Sequence, residues 1–238
     1  MKYRAYIFDL YGTLADIRTD EKSPMLWRKT SLWYAEHGAD YQPEELRRAY
    51  HSLCSDLQRT NEDPLYEIEL TEVFRALFAK KGIAAGQLLV AETAVFFRLT
   101  SLKKLKPYPW VYPVLGKLKE DGAMCFLLSN AQACFTNPEL RYLHLDRAFD
   151  RIVLSSDAGI RKPSPKIMEK LLSGTGLPAS SCLMIGNDRT SDIALANTFG
   201  MDSLYIETET SIKELKMPEA TYELTERDYQ KLPGLLGI

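Results

Sequence analysis

Four segments of the chain carry polar residues whose types suit hydrolytic chemistry. They contain Asp9 and Thr13 (FDLYGTL), Ser129 and Asn130 (FLLSN), Lys162 (GIRKPSP), and Asp188 and Asp192 (IGNDRTSDI). A carboxylate such as Asp9 can attack phosphorus or carbon when its neighbours balance its own charge and that of the leaving group. Ser129 can hydrogen-bond an oxyanion, and Lys162 can neutralise charge shared by the nucleophile and the transferred group. Together the segments predict a nucleophilic site centred on Asp9.

The loop after Asp9 is expected to be tight. Gly12 permits a sharp backbone turn, and Thr13 then brings a hydroxyl close to the carboxylate. Asn130 likewise follows an apolar run, the FLL of FLLSN, and is next to Ser129. We therefore predict Gly12 and Asn130 as substrate-binding residues beside the catalytic set.

Two acidic residues lie in the fourth segment, IGNDRTSDI. Asp188 and Asp192 are four residues apart, so they can converge on one hard cation. Magnesium prefers one or two carboxylates together with waters and substrate oxygens, which fits Asp9 with Asp188 or Asp192. The alternative is that the pair forms a helix N-cap and a first-turn acid. We predict Mg²⁺ as the cofactor.

Short apolar runs place these residues at strand ends. The run at residues 3–10 is rich in β-branched and aromatic residues, and the runs at 124–128, 152–154 and 182–185 are apolar; each stops at a polar or glycine-containing turn. Residues 204–206 and a run around Tyr222 can extend the sheet. Strands separated by helical stretches favour βαβ units and a parallel sheet, with ligands beyond the carboxyl ends of the strands. The predicted fold is α/β, with a Rossmann-like parallel-sheet core.

A long helical interval separates the first strand from the second. Between about residues 16 and 105, apolar residues recur at spacings of three and four, and strand signals are almost absent. The segment Lys106-Pro-Tyr-Pro-Trp then returns the chain along an extended path. We predict a helical cap domain at 16–105, inserted into a core made of 1–15 and 106–238.

Composition restricts the classes of partner. The chain has 238 residues, 45% of them hydrophobic, which suffices for a substantial core. Lys and Arg number 30 against 32 Asp and Glu, so the net charge of -2 provides no global basic field for nucleic acid or anionic lipid. No signal-peptide pattern or membrane-spanning stretch is recognisable. We expect a cytoplasmic monomer or homodimer that acts on a small molecule, with phosphate esters favoured, and binds neither nucleic acid nor membrane.

The four segments, in this order and spacing, resemble the four motifs of the haloacid dehalogenase-like (HAD) hydrolase superfamily over nearly the whole chain. The resemblance implies that Asp9 is the nucleophile and that Thr13 and Ser129 bind the transferred group. It implies that Lys162 balances charge and that Asp188 and Asp192 belong to the metal site. Tyr11, in the first motif, is predicted as both a catalytic and a metal-site residue. The insertion resembles the helical cap that closes over the active site in the branch of haloacid dehalogenases and many small-molecule phosphatases.

Position 11 separates two activities within that superfamily. Its phosphatases usually carry a second aspartate there, which protonates the leaving oxygen, whereas this chain has Tyr11. Tyrosine, with a reference pKa of about 10, is a poor general acid near neutral pH, and its ring can instead pack beneath the cap. The string FDLYGTL resembles the first motif of 2-haloacid dehalogenases, whose halide leaves without a proton. Arg28 in LWR likewise resembles the arginine that contacts the halide, or it is a solvated residue of a cap helix.

The fourth motif favours phosphate chemistry. Dehalogenases resemble one another there in a serine- and asparagine-rich string with one acid, whereas this chain has both Asp188 and Asp192. A cation would offset the repulsion between these acids and Asp9 and would screen an approaching phosphate dianion. We predict a magnesium-dependent phosphatase of small phosphorylated metabolites. A metal-independent 2-haloacid dehalogenase and a non-catalytic ligand-binding module on the same fold are the alternatives.

Overall fold

The computed structural model describes residues 2–211 and 217–238. Its strands are β1 (Ala5–Phe8), β2 (Ala15–Thr19), β3 (Leu102–Pro107), β4 (Met124–Ser129), β5 (Arg151–Leu154), β6 (Cys182–Gly186), β7 (Asp202–Ile206) and β8 (Tyr222–Leu224). Six of them form a parallel sheet in the order β5-β4-β1-β6-β7-β8. The predicted α/β fold is confirmed, and the predicted strands agree with the observed ones to within two residues at each end.

Helices account for most of the remaining described chain. They are α1 (Pro24–Glu36), α2 (Pro43–Gln58), α3 (Leu70–Lys80), α4 (Gln87–Ser101), α5 (Val111–Glu120), α6 (Ala133–Tyr142), α7 (Ser155–Ala158), α8 (Pro165–Leu172), α9 (Ala194–Thr198) and α10 (Leu232–Leu236). Within the two described ranges, none of them is long and apolar enough to cross a membrane.

The central strands are apolar along their whole length because both faces of the sheet are covered. Every residue of β1 is buried, and Phe8 at its end pairs with Leu127 of β4 and Ile185 of β6. Since these three strands run parallel and in register, the residues that follow them meet at one edge of the sheet. That edge carries the predicted chemistry.

The first four helices pack around a hydrophobic cluster of their own. The rings of Trp27, Tyr50, Phe74 and Phe97 contact one another with centroids 5.4 to 6.0 Å apart. Phe135 of α6 stacks on Phe97 at 6.3 Å and so joins this cluster to the sheet-containing part of the chain. A separate cluster supports the predicted division into cap and core, whose boundaries at residues 16 and 105 remain a prediction.

A two-stranded ribbon connects these two parts of the chain. β2 and β3 pair antiparallel, with Asp16 opposite Lys106 and Ile17 opposite Leu105. The prediction that this interval is almost purely helical is therefore wrong at its two ends. Both strands, ADIRT and LKKLKP, are rich in charged residues and partly exposed, so hydrophobic periodicity does not reveal them.

Candidate active site

The carboxylate of Asp9 lies at the centre of the polar edge of the sheet. Its backbone N–H continues the β1–β6 ladder by donating to the carbonyl of Ile185 at 2.9 Å. The side chain is 7% exposed. Lys162 Nζ and Ser129 Oγ donate to its Oδ1 at 2.7 and 3.1 Å, and Thr13 Oγ1 donates to its Oδ2 at 3.3 Å. Three predicted residues, which together with Asp9 represent three separate motifs, thus contact its carboxylate directly.

Lys162 is almost completely buried and makes three hydrogen bonds through its ammonium group. Besides Asp9, Nζ donates to Asp192 Oδ1 and to the carbonyl of Leu128, both at 2.7 Å. Burial acts to lower the pKa of Lys162, but the carboxylates of Asp192 and Asp9 outweigh it and raise that pKa above its ordinary value. The lysine therefore remains charged between the two acids.

Asn130 fixes the backbone that carries this lysine. The Lys162 N–H donates to Asn130 Oδ1 at 2.7 Å, and Asn130 Nδ2 donates to the Lys162 carbonyl at 3.0 Å. This reciprocal pair joins the end of β4 to the loop before α8. Asn130 therefore positions Lys162 as well as lining the cavity in front of Asp9.

Asp192 is held behind Lys162 by a single π-helical turn, Arg189–Ile193. Its Oδ2 accepts the backbone N–H of Asp188 at 3.1 Å. Burial, together with the charge of Asp9, raises the pKa of Asp192 to about 7 against the opposing effect of Lys162. Asp192 is therefore a buried partner of the lysine.

Asp188 and its neighbour Asn187 face different partners. Asp188 Oδ1 accepts from the N–H and hydroxyl of Thr190 at 2.8 and 2.7 Å. Burial acts to raise the pKa of Asp188, yet the hydrogen bonds from Thr190 and Ser191 bring it below its ordinary value. Asn187 Oδ1 instead accepts from Thr13 Oγ1 at 3.2 Å, next to Asp9.

Gly12 is required by the close packing of this loop. Its φ of +84° is in the left-handed region, and a Cβ would lie 2.3 Å from Thr210 Oγ1 and 2.5 Å from Asn187 Nδ2. Those two groups hydrogen-bond each other at 2.9 Å. Asn187 and Thr210 were not predicted as site residues. Asn187 lies inside the fourth motif beside two acids, and Thr210 belongs to no recognisable motif.

The residues described above surround a cavity of about 230 Å³. Its lining consists of Asp9, Tyr11, Ser129, Asn130, Lys162, Asn187, Asp188, Ser191, Asp192 and Thr210. Thr13 lies just behind it and is fully buried. The cavity offers a carboxylate, a fixed cation and several hydroxyl and amide groups, which suits a small oxyanion.

Comparison with known proteins identifies the family. The family described as haloacid dehalogenase-like hydrolase matches residues 3–200 of this chain. The chain belongs to the HAD-like hydrolases. The predicted resemblance is therefore confirmed, and with it the prediction that the chain is a hydrolase.

Relatives of this HAD-like hydrolase carry two kinds of name. The glyceraldehyde 3-phosphate phosphatase of Pyrococcus furiosus is 25% identical over 245 residues, covering 100% of this chain and 93% of that protein. The (S)-2-haloacid dehalogenase 4A of Burkholderia cepacia is 26% identical over 216 residues, covering 85% and 82%. The solved structure of the HAD-hydrolase YfnB from Bacillus subtilis, bound to magnesium, covers 100% of both chains with a TM-score of 0.58 at 20% identity, which shows a shared fold.

The hydroxyl of Tyr11 in this HAD-like hydrolase is hydrogen-bonded to two side chains of α6. It donates to the carboxylate of Glu139 and shares a hydrogen bond of 2.9 Å with Thr136 Oγ1. Burial, and next the charge of Glu139, raises the pKa of Tyr11 above its ordinary value. This geometry gives no support to the predicted catalytic or metal-binding role of the Tyr11 hydroxyl, although the residue lines the cavity.

Arg28 is the one predicted site residue that lies elsewhere. It is exposed on α1 and lines a different groove together with Glu21, Trp27 and His51. The buried face of α1 carries Leu26 and Trp27, so Arg28 lies on the exposed side of the helix. The structure does not bring Arg28 to the Asp9 cavity, and its predicted contact with substrate is not supported.

The oxygen donors at the cavity fit a magnesium ion held by few protein ligands. Asp9 and Asp188 both line the cavity, whereas Asp192 is engaged by Lys162 and by the Asp188 N–H, and the side-chain carbonyl of Asn187 by Thr13. Magnesium takes one or two carboxylates and completes its shell with waters and substrate oxygens. Among the residues that the structure describes, no three acidic, histidine or cysteine side chains group as a self-sufficient cation site.

Proposed function

We propose that this chain is a phosphatase that hydrolyses small phosphate esters through a covalent intermediate on Asp9. The observation that carries the proposal is the environment of the Asp9 carboxylate, which Lys162, Ser129 and Thr13 contact at 2.7, 3.1 and 3.3 Å. A phosphoryl group in the same cavity would meet the same cation and hydroxyls. A relative that bears the name of a phosphatase and matches the full chain supports the same activity.

The contacts of Asp9 indicate which oxygen attacks. Oδ1 accepts the strong bond from Lys162 and a second from Ser129, whereas Oδ2 accepts the longer bond from Thr13. Oδ2 would form a bond to phosphorus while the bond from phosphorus to the leaving oxygen breaks. Water would then attack the phosphorus of the aspartyl phosphate and break its bond to Oδ2, releasing inorganic phosphate and restoring the carboxylate. The proton that this water loses balances the charge of the oxyanion that left in the first step. Lys162 balances the charge throughout.

The leaving group is expected to depart with little help from the protein. The Tyr11 hydroxyl is engaged by Glu139 and its pKa is raised, so it is a poor proton donor. Esters whose alcohols are good leaving groups should therefore react faster than simple alkyl phosphates.

Magnesium belongs to this proposal as an assisting ion. Asp9 and Asp188 would hold it, with water and substrate oxygens as the remaining ligands. When bound, it would screen the negative charge of the phosphate from that of the nucleophile.

The geometry of Tyr11 favours a second candidate function, 2-haloacid dehalogenation. In that reaction Asp9 would displace halide from carbon, and water would hydrolyse the resulting ester. Halide leaves without a proton, so the engagement of the Tyr11 hydroxyl by Glu139 would not matter. A relative named as a haloacid dehalogenase supports this alternative.

A paired assay distinguishes the two activities. We would supply an activated aryl phosphate and 2-chloropropionate, each with magnesium and with a chelator, to the native chain, to Asp9→Asn and to Asp146→Asn. Asp146 is exposed and does not line the cavity, so it is a matched control. We expect magnesium-dependent phosphate release that Asp9→Asn abolishes and Asp146→Asn retains. Chelator-resistant chloride release would instead identify a dehalogenase, and turnover of neither substrate would favour a binding module.

A further inference from the structure

A second cavity adjoins the Asp9 cavity. Its volume is about 270 Å³, and Tyr11 and Asn130 line both cavities, so they form a common wall. We call it the cap–core cavity because its lining comes from both parts of the chain: Glu21, Glu67 and Arg98 on one side, and Gln132, Phe135 and Thr136 on the other. A substrate whose phosphoryl group lies at Asp9 would extend its remaining atoms into this space.

Glu67 is fixed in the wall of the cap–core cavity by residues of the sheet-containing part. Gln132 Nε2 donates to its Oε1 at 3.2 Å, and Ser155 Oγ donates to its Oε2 at 3.0 Å. Gln132 is itself held by the carbonyl of Ile68 at 2.8 Å and the N–H of Leu70 at 2.9 Å. The carboxylate therefore has a defined position.

The positive charge of Arg98 is largely neutralised within the protein. Its Nε and Nη2 donate to the two carboxylate oxygens of Glu139 at 2.6 and 3.3 Å, and the two side chains are 12% and 7% exposed. Arg161 also acts electrostatically on Glu67, but its guanidinium donates to the carbonyl of Pro64 and does not line the cavity. With Glu21 and Glu67 in the lining, the cavity presents net negative charge.

We propose that the cap–core cavity binds the non-reacting part of the substrate and selects uncharged hydroxyl-bearing or ammonium-bearing groups over carboxylates, with Glu67 as the specificity-determining residue. Glu67 and Gln132 offer acceptors to a hydroxyl or ammonium donor. A substrate carboxylate would instead face Glu67 and Glu21, and among the described lining residues the only cation, Arg98, is already paired with Glu139. This repulsive arrangement lowers affinity. The identity of the reacting end as a phosphate rests on the proposed function.

Binding to Asp9→Asn, which prevents turnover, tests this selectivity. We would measure dissociation constants by calorimetry for glycerol 1-phosphate, ethanolamine phosphate and 2-phosphoglycolate. We expect 2-phosphoglycolate to bind at least about tenfold more weakly than the other two, because a like charge directly opposes its carboxylate. Adding Glu67→Gln should bring the three constants close together, whereas Glu62→Gln, an exposed residue of the same loop, should leave the ratio unchanged.

Several outcomes would overturn the inference. They are equal or tighter binding of 2-phosphoglycolate, binding of none of the three phosphates, and an unchanged ratio in a folded Glu67→Gln variant. Thermal unfolding would verify that this variant is folded. If the Glu67→Gln variant is unfolded, Glu21→Gln, a change on an exposed loop, provides the test instead. It must bring the dissociation constant of 2-phosphoglycolate closer to those of the other two phosphates. Turnover of an aryl phosphate by the native chain tests the proposed function separately, so either idea can fail while the other stands.

Discussion

The side chain of Lys162 joins two buried carboxylates at the edge of the sheet. It is 2% exposed, and its ammonium lies 2.7 Å from an oxygen of Asp9 and 2.7 Å from an oxygen of Asp192. Burying any one of these three charges alone would be costly. Together, one ammonium and two carboxylates form a network whose net charge is −1. The lysine thus combines a catalytic role in the proposed reaction with a structural one.

Lys162→Met should therefore reduce stability as well as activity. Removing the cation leaves Asp9 and Asp192 buried without compensation, which costs about 3–5 kcal/mol in comparable pairs. We would measure the free energy of unfolding in urea, with Lys166→Met as the control, since Lys166 is 69% exposed and pairs with Asp63 on the surface. The double variant Lys162→Met/Asp192→Asn should recover part of the loss. Unchanged stability in the single variant would contradict the network.

The burial of Asp192 should make stability depend on pH. Its pKa rises from 3.8 to about 7 in the folded chain, so the folded state binds more protons than the unfolded state between these values. The contribution of Asp192 to the free energy of unfolding is fully present below pH 3.8 and is lost as pH rises through about 7. We would record unfolding midpoints from pH 5 to 8. Asp192→Asn should flatten the decline over this range and Asp146→Asn should not; parallel curves for all three proteins would contradict the assignment.

The sequence predicted most of the residues that meet at Asp9 because they lie at or beyond the ends of apolar strands in a parallel sheet. Asp9 and Ser129 lie directly at strand ends, and Lys162 follows β5 after the short helix α7. It failed where side-chain direction decides the contact. Asp188 and Asn187 are adjacent in the motif, yet the backbone directs the amide towards Thr13 and the carboxylate towards Thr190. The engagement of Tyr11 by Glu139 joins residues far apart in the chain, and no periodicity encodes such a contact.

At the scale of secondary structure, the turn after β6 determines how close Asp192 comes to the sheet. Gly186 ends β6, and the π-helical turn Arg189–Ile193 then brings Asp192 back over it. A Cβ on Gly186 would lie 2.1 Å from Asp192 Oδ2. The absence of a side chain at this strand end is therefore a condition for the contact between Asp192 and Lys162.

Gly186→Ala should disrupt that contact. The added methyl group must displace the Asp192 carboxylate, and overpacking of this kind costs about 1–3 kcal/mol. Gly116→Ala is the matched control, because Gly116 lies inside α5 and a methyl group added there would have no neighbour within 4 Å, so alanine should be neutral or slightly stabilising. We would compare unfolding free energies and phosphatase activity of both variants. A fully stable and active Gly186→Ala protein would show that Asp192 can move without consequence.

Elements could be predicted from sequence where burial imposes a pattern. β1, β4 and β6 are apolar on both faces, and the helices of the predicted cap show three- and four-residue spacing, so both were recognisable. β2 and β3 are stabilised mainly by pairing with each other across a long insertion, as Asp16 opposite Lys106 illustrates. That pairing is a tertiary property, so a scan of local pattern overlooks it.

At the scale of the whole molecule, the hydrophobic cluster of the first four helices meets the sheet-containing part through α4 and α6. Arg98 near the end of α4 pairs with Glu139 of α6, and Glu139 also accepts the hydroxyl of Tyr11 in the loop after the predicted nucleophile. Phe135 packs against Phe97 beside this pair. One buried network therefore joins the predicted cap, the sheet-containing part and the active-site loop.

Arg98→Met should lower the free energy of unfolding far more than a substitution that breaks a comparable ion pair on the surface. The matched control is Arg47→Met, because Arg47 also binds both oxygens of a carboxylate, Glu44, at 2.8 and 2.7 Å. The two side chains of that pair are 43% and 56% exposed, against 12% and 7% for Arg98 and Glu139. Breaking a buried pair costs about 3–5 kcal/mol, whereas an exposed pair contributes about 1 kcal/mol or less. Urea unfolding measures both losses, and equal losses would mean that burial does not set the strength of the junction.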